Sequence, residues 1–144
     1  MKMTVKLDTE VIRCIGVFEH LTGAGVKDCI VDNKANKVTI VVKKGDMGLA
    51  IGKSGSNINK AKKLMNKEIE VVEHSSDLKE FIENLLRPAY VKSVELLTKN
   101  DKYCAYVEVF NKDKGIAIGK DGEKIKKVKL LVKRNQNIDN VIIK

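Results

Sequence analysis

Gly48-Leu49-Ala50-Ile51-Gly52-Lys53-Ser54-Gly55-Ser56-Asn57-Ile58 returns 67 residues later as Gly115-Ile116-Ala117-Ile118-Gly119-Lys120-Asp121-Gly122-Glu123-Lys124-Ile125. Seven of the eleven aligned positions are identical: three glycines, the Ala-Ile pair, the lysine and the final isoleucine. Each copy reads as a short helix, a sharp Gly-x-x-Gly turn and a second helix. Two glycines three apart let the backbone take positive φ and present bare N–H groups. An anion brought there meets those groups, a lysine and the start of the next helix. Helix N-termini favour negative charge by roughly 0.3–1 kcal/mol in exposed settings. The repeat predicts a duplicated clamp for a phosphate backbone.

Outward from the first copy, residues 38–42 are β-branched and predict a strand. Asp46 stands where it would cap the short helix 47–51. The helix after the loop is expected from about Ser56 to Asn66, with Ile58, Ala61, Leu64 and Met65 facing inward. Upstream, Asp8 is placed to cap a helix whose Val11, Ile12, Ile15, Phe18 and Leu21 share one face, ended by Gly23 and Gly25. A β-rich stretch at 26–31 and a turn at 32–36 follow. Glu68-Ile69-Glu70-Val71-Val72 alternates as a half-exposed strand.

The second copy repeats this order. Asp77 and Glu80 form a capping-box pattern ahead of Leu78, Phe81, Ile82, Leu85 and Leu86. Pro88 limits that helix, because it biases Arg87 away from the α region. Strands are expected at 91–97 and 103–110, turned by Lys99-Asn100-Asp101, then the repeat, a helix to about Arg134, and a strand at 138–143. The chain therefore reads as an α+β protein of two small domains, 1–75 and 76–144. Each is helix, strand, strand, helix, Gly-x-x-Gly, helix, strand, with a three-stranded sheet covered by helices on one face.

The chain has 144 residues, 28 Lys+Arg against 19 Asp+Glu, a formal charge of +9 and a pI near 9.4. Arg13, Arg87 and Arg134 are its arginines, so the excess is lysine. Lysine follows a polyanion as a flexible point charge, whereas bidentate base reading needs arginine. The helix after the second loop is the more basic of the two, with Lys124, Lys126, Lys127, Lys129, Lys133 and Arg134 against Glu123. Cys14, Cys29 and Cys104 are far apart and read as reduced apolar residues of a cytoplasmic protein. His20 and His74 are isolated, so no metal site is expected. The N-terminal residues lack the apolar stretch of a signal peptide, and no segment reaches the roughly 20 apolar residues of a membrane span.

Spacing rules out several phosphate-binding alternatives. An ATP-binding P-loop needs four residues between its first glycine and Gly-Lys; Gly48 and Gly52 enclose three. Asp121 also occupies a position where Ser or Thr would meet magnesium. Gly23-Ala24-Gly25 lacks the third glycine of a dinucleotide fingerprint. The six aromatics (Phe18, Phe81, Tyr90, Tyr103, Tyr106, Phe110) do not form an RRM stacking motif. No nucleophile–base pair or carboxylate cluster recurs in both copies, so neither an enzymatic activity nor a cofactor is expected.

Ile-Gly-Lys-x-Gly-x-x-Ile, twice, each time after a β-hairpin, resembles the KH RNA-binding module of type II topology, whose Gly-x-x-Gly loop clamps about four nucleotides. Phe81-Ile82-Glu83-Asn84-Leu85-Leu86-Arg87-Pro88-Ala89-Tyr90-Val91-Lys92-Ser93-Val94 is similar to the start of the second KH domain in NusA transcription factors. With Gly45-Asp46-Met47-Gly48-Leu49-Ala50-Ile51-Gly52-Lys53, the whole chain resembles the short archaeal NusA-like proteins. These differ from bacterial members in having neither an N-terminal polymerase-binding domain nor an S1 domain. The resemblance implies binding of single-stranded RNA during transcription elongation or termination, with RNA polymerase or other transcription factors as protein partners. A ribosome-associated or rRNA-processing KH protein is the alternative. Gly52, Lys53, Ser54 and Gly55, with Gly119, Lys120, Asp121 and Gly122, would hold phosphates. Ile51, Ile58, Ile118 and Ile125 would floor the bases, and Lys124 and Lys127 would add charge. A cytoplasmic monomer without membrane attachment is expected.

Overall fold

The structure, a computed structural model, describes residues 9–144. The cap expected at Asp8 lies outside the described residues. The chain divides into two compact units between His74 and Ser75. The first contains α1 (Thr9–Thr22), β1 (Val26–Asp32), β2 (Lys37–Val42), α2 (Met47–Ile51), α3 (Ser56–Met65) and β3 (Glu68–Glu73). The second contains α4 (Leu78–Leu86), β4 (Val91–Lys99), β5 (Lys102–Val109), α5 (Lys114–Ile118), α6 (Glu123–Gln136) and β6 (Asn140–Ile143).

In each unit two strands form an antiparallel hairpin and the third joins the central strand in parallel, in the orders β1-β2-β3 and β4-β5-β6. A parallel neighbour cannot be reached by a tight turn. The crossover is made by the helix–loop–helix, α2 to α3 or α5 to α6, so the fold itself places the Gly-x-x-Gly turn outside the sheet. The hairpin of the second unit turns through Asn100 and Asp101, both at positive φ (54° and 65°), as a two-residue turn requires. Each first strand carries an irregularity at the same relative place, Val26/Asp28 and Val91/Ser93, which leaves Lys27 and Lys92 as extra residues.

The first core gathers Val38, Ile40 and Val42 of β2 with Cys14, Phe18, Ala50, Ala61 and Ile69. In the second unit Phe81, Ile82, Leu85 and Leu86 of α4 are buried, as are Ala105, Val107 and Val109 of β5 and Val128, Leu131 and Val132 of α6. Two residues depart from the expected faces. Ile12 is 54% exposed, because the buried line of α1 runs through Cys14 and Phe18, and Ile12, two residues before Cys14, points well away from it. Leu64 is 66% exposed: α3 buries the Ala61 line, with Ile58 and Met65 partly covered, and Leu64 is turned off it.

The Asp77 cap of α4 forms as its sequence indicates, but the return half of the expected capping box runs through Ser75. The Asp77 carboxylate accepts the Glu80 N–H at 3.0 Å. Ser75, buried, stands between the two: its hydroxyl donates to the Glu80 carboxylate and accepts the Asp77 N–H. Arg87 is extended (φ −51°, ψ 141°) ahead of Pro88 and ends the helix.

Candidate nucleic-acid interface

The two loops have nearly the same backbone. Gly52 has φ 78°, ψ 172°, and Gly119 has φ 80°, ψ 169°. Ser54 and Asp121 are left-handed at φ 54° and 55°, and Gly55 and Gly122 follow at φ 77° and 73°. A Cβ at Gly52 would lie 2.7 Å from the Asn57 backbone nitrogen, and one at Gly119 would lie 2.8 Å from that of Lys124. The first glycine thus lets the loop lie directly on the next helix. The second is not crowded: a Cβ at Gly55 or Gly122 would meet its nearest atom at ordinary van der Waals distance, 3.5 Å and 3.9 Å.

The glycine N–H groups are not bare, contrary to the expectation from sequence. Gly52 donates to the Gly48 carbonyl and Gly55 to that of Gly52; Gly119 and Gly122 do the same with Gly115 and Gly119. The glycines supply shape. The intervening Lys53, Ser54, Lys120 and Asp121 are all exposed.

The Ile51, Ile58 and Ile125 side chains are half-buried beside the loops and Ile118 is exposed. Leu49 and Ile116, which the sequence reading did not select, are also exposed large apolar residues. They flank Ala50 and Ala117, both fully buried, on helices of five residues. The signal was present: these are the positions where the repeat changes only between leucine and isoleucine.

The basic helix α6 is less free than its composition implies. Lys124 donates its ammonium to the carbonyls of Leu86 and Arg87, at the end of α4. Its counterpart in the first unit, Asn57, donates to the Leu49 carbonyl at 2.7 Å. Asn57 thus ties α3 to α2, and Lys124 ties α6 to the end of α4. Lys133 is taken by Asp139 at 2.6 Å. That hydrogen bond, and a second from the Tyr103 N–H, hold the Asp139 carboxyl below the ordinary carboxylate range. Lys127 is half-buried, while Lys126, Lys129 and Arg134 lie exposed. Among the described residues no group of His, Cys, Asp and Glu could hold a metal ion, and no helix is long and apolar enough to cross a membrane.

Two helix–Gly-x-x-Gly–helix loops, each crossing between the parallel strands of a three-stranded sheet, define a tandem KH-domain protein of type II topology. Residues 14–76 match the KH domain and residues 78–143 the NusA-like second KH domain. The chain is 38% identical to the probable transcription termination protein NusA of Halobacterium salinarum, over 96% of this chain and 98% of that one. The Methanococcus vannielii protein of the same name is 36% identical over 96% of this chain and 79% of its own. The crystal structure of APE1850 is similar at 34% identity and a TM-score of 0.80, covering 96% of this chain and all of that one. The chain belongs to the NusA family.

Proposed function

We propose that the protein grips single-stranded RNA with residues 52–55 and 119–122 and thereby modulates transcription elongation or termination. The observation that carries this reading is the agreement of the two loops in backbone angles, each with an exposed lysine between its two positive-φ glycines. Phosphates lie against Lys53-Ser54 and Lys120-Asp121. Bases lie on the apolar side chains of the adjoining short helices, Leu49 and Ile51 in one domain, Ile116 and Ile118 in the other. The transcription role follows from the names of the relatives, and nascent transcript is the RNA it implies.

Filter binding of an unstructured RNA 12-mer at several salt concentrations tests the grip. Neutralising about four to six phosphates should give a slope of log affinity against log salt of about −3 to −4, at roughly −0.7 per single-strand contact. A slope near zero would remove the phosphate clamp. Lys53→Asp combined with Ser54→Asp should lower affinity at least about tenfold with little change in thermal midpoint, since both side chains are exposed. Run-off transcription on a terminator template, with the wild type and this variant, tests the second half of the proposal. Identical termination with and without the wild-type protein would refute it.

A further inference from the structure

The second domain carries an exposed aromatic pair that the loop mechanism does not use. Tyr90 and Phe110 stack with ring centroids 5.5 Å apart and planes within 10°. The Lys92 ammonium lies 5.0 Å from the Phe110 centroid. Tyr90 is 68% exposed and Phe110 37%. Rings of this size usually contribute by burial, and here much of their surface faces water.

The first domain serves as an internal control. There the Gly25 N–H donates to the Asp46 carboxylate at 2.8 Å; in the second the Tyr90 N–H donates to Asp113 at 3.0 Å. Counting from the paired strand irregularities, Gly25 corresponds to Tyr90 and Lys27 to Lys92. The side chain packed over Gly25 is that of Lys43, which leaves β2 as Phe110 leaves β5. The fold makes the same tie with a glycine and a lysine. Its geometry therefore does not require the aromatic pair.

We infer that Tyr90 and Phe110 form a stacking platform for one unpaired RNA base beyond the second loop. This inference rests on the RNA-binding reading above. Three observations select an RNA base as the occupant. The outward Tyr90 ring offers a flat apolar face, which stacks on any base. The Lys92 ammonium lies over Phe110, and Lys112 and Lys114 come two and four residues after that ring in sequence, against Glu108, 3.8 Å from Lys92, and Asp113, which accepts a backbone N–H. Finally, the platform is fixed to the loop-bearing helix: Asp113 holds Tyr90, and its own N–H donates to the Phe110 carbonyl at 2.8 Å. From Phe110, a turn of three residues and the five of α5 lead to Gly119, roughly 14 Å at ordinary helical rises.

The test uses the full chain, the RNA 12-mer, and the same 12-mer with abasic residues throughout. Tyr90→Ala keeps the backbone N–H that Asp113 accepts. It should weaken binding of the 12-mer by about 5- to 100-fold, the range for loss of one base–aromatic stack, and leave the salt slope unchanged. Tyr90→Phe should bind as the wild type does, and Tyr90→Leu, which keeps apolar bulk without a π face, should lose most of what alanine loses. The abasic strand should be bound equally by wild type and Tyr90→Ala. If Tyr90→Ala and Tyr90→Leu both bind the 12-mer within twofold of wild type while the Lys53→Asp, Ser54→Asp variant loses it, the platform is refuted and the loop reading stands. A wild-type protein that does not bind the 12-mer ends both.

Discussion

Gly52 and Gly55 look interchangeable in the sequence and are not. At φ 78°, ψ 172° Gly52 occupies a region of backbone space that is essentially glycine-only, and Gly119 matches it. Gly55, at φ 77°, ψ 14°, is in the ordinary left-handed region, which asparagine also tolerates. Gly52→Ala should therefore cost about 3 kcal/mol, from backbone strain together with a contact to the Asn57 nitrogen that cannot yield. Gly55→Asn should cost about 1 kcal/mol or less. Urea midpoints of the two variants check this, and equal losses would contradict it. The spacing of the glycines was legible because positive φ is rare for other residues. Their division of labour was not, since it depends on ψ and on where the next helix lies. The same left-handed requirement accounts for Ser54 and Asp121, short polar residues that accept it at modest cost.

The two aspartates ahead of the short helices show where element-level reading stops. Asp46 precedes α2 as a cap should, yet makes no capping bond; its carboxylate accepts the Gly25 N–H, 21 residues away in sequence. Asp113 likewise does not cap α5 and holds Tyr90. Local pattern cannot reveal a partner brought in by the sheet. Each tie is a charge-assisted hydrogen bond, so Asp46→Ala should destabilise by about 1–3 kcal/mol, and Asp46→Asn, which keeps an acceptor, by less. Thermal unfolding distinguishes them. Elements with a strong apolar face were read well: α4 buries Phe81, Ile82, Leu85 and Leu86 as its spacing indicates. Ile12 and Leu64, which lie off the buried lines, were misplaced because periodicity does not fix where on the helix the neighbour packs. The extra residue of the first strand irregularity, Lys27, has an electrostatic consequence. Burial, and then the Lys27 charge, lower the pKa of His74 from 6.5. The folded state thus binds fewer protons than the unfolded one, and stability is lost as pH falls through 6.5 towards the lowered value. His74→Gln should flatten the decline in thermal midpoint between pH 7.5 and pH 5; an unchanged profile would remove His74 as its cause.

Across the whole chain the duplication was the most legible feature, and its inequality is the part with a functional consequence. Both loops have the same shape and the same lysine, but Ser54 of the first is Asp121 of the second. A net charge of +9 draws RNA to the protein as a whole. Within the second loop, however, a carboxylate faces the place assigned to a phosphate. At about 7 Å in a water-like dielectric the repulsion is about 0.6 kcal/mol, reduced further by physiological salt, and so amounts to about twofold in affinity. Asp121→Asn removes the charge and keeps a side chain suited to φ 55°. It should raise affinity for the RNA 12-mer about twofold at low salt, an advantage that fades near 1 M, where the Debye length falls to about 3 Å. On the same basis Lys53→Ala should weaken binding more than Lys120→Ala, whose lysine is already partly offset by its neighbour. If Asp121→Asn binds no more tightly than wild type at any salt concentration, no phosphate sits at the second loop, and the grip belongs to the first domain alone.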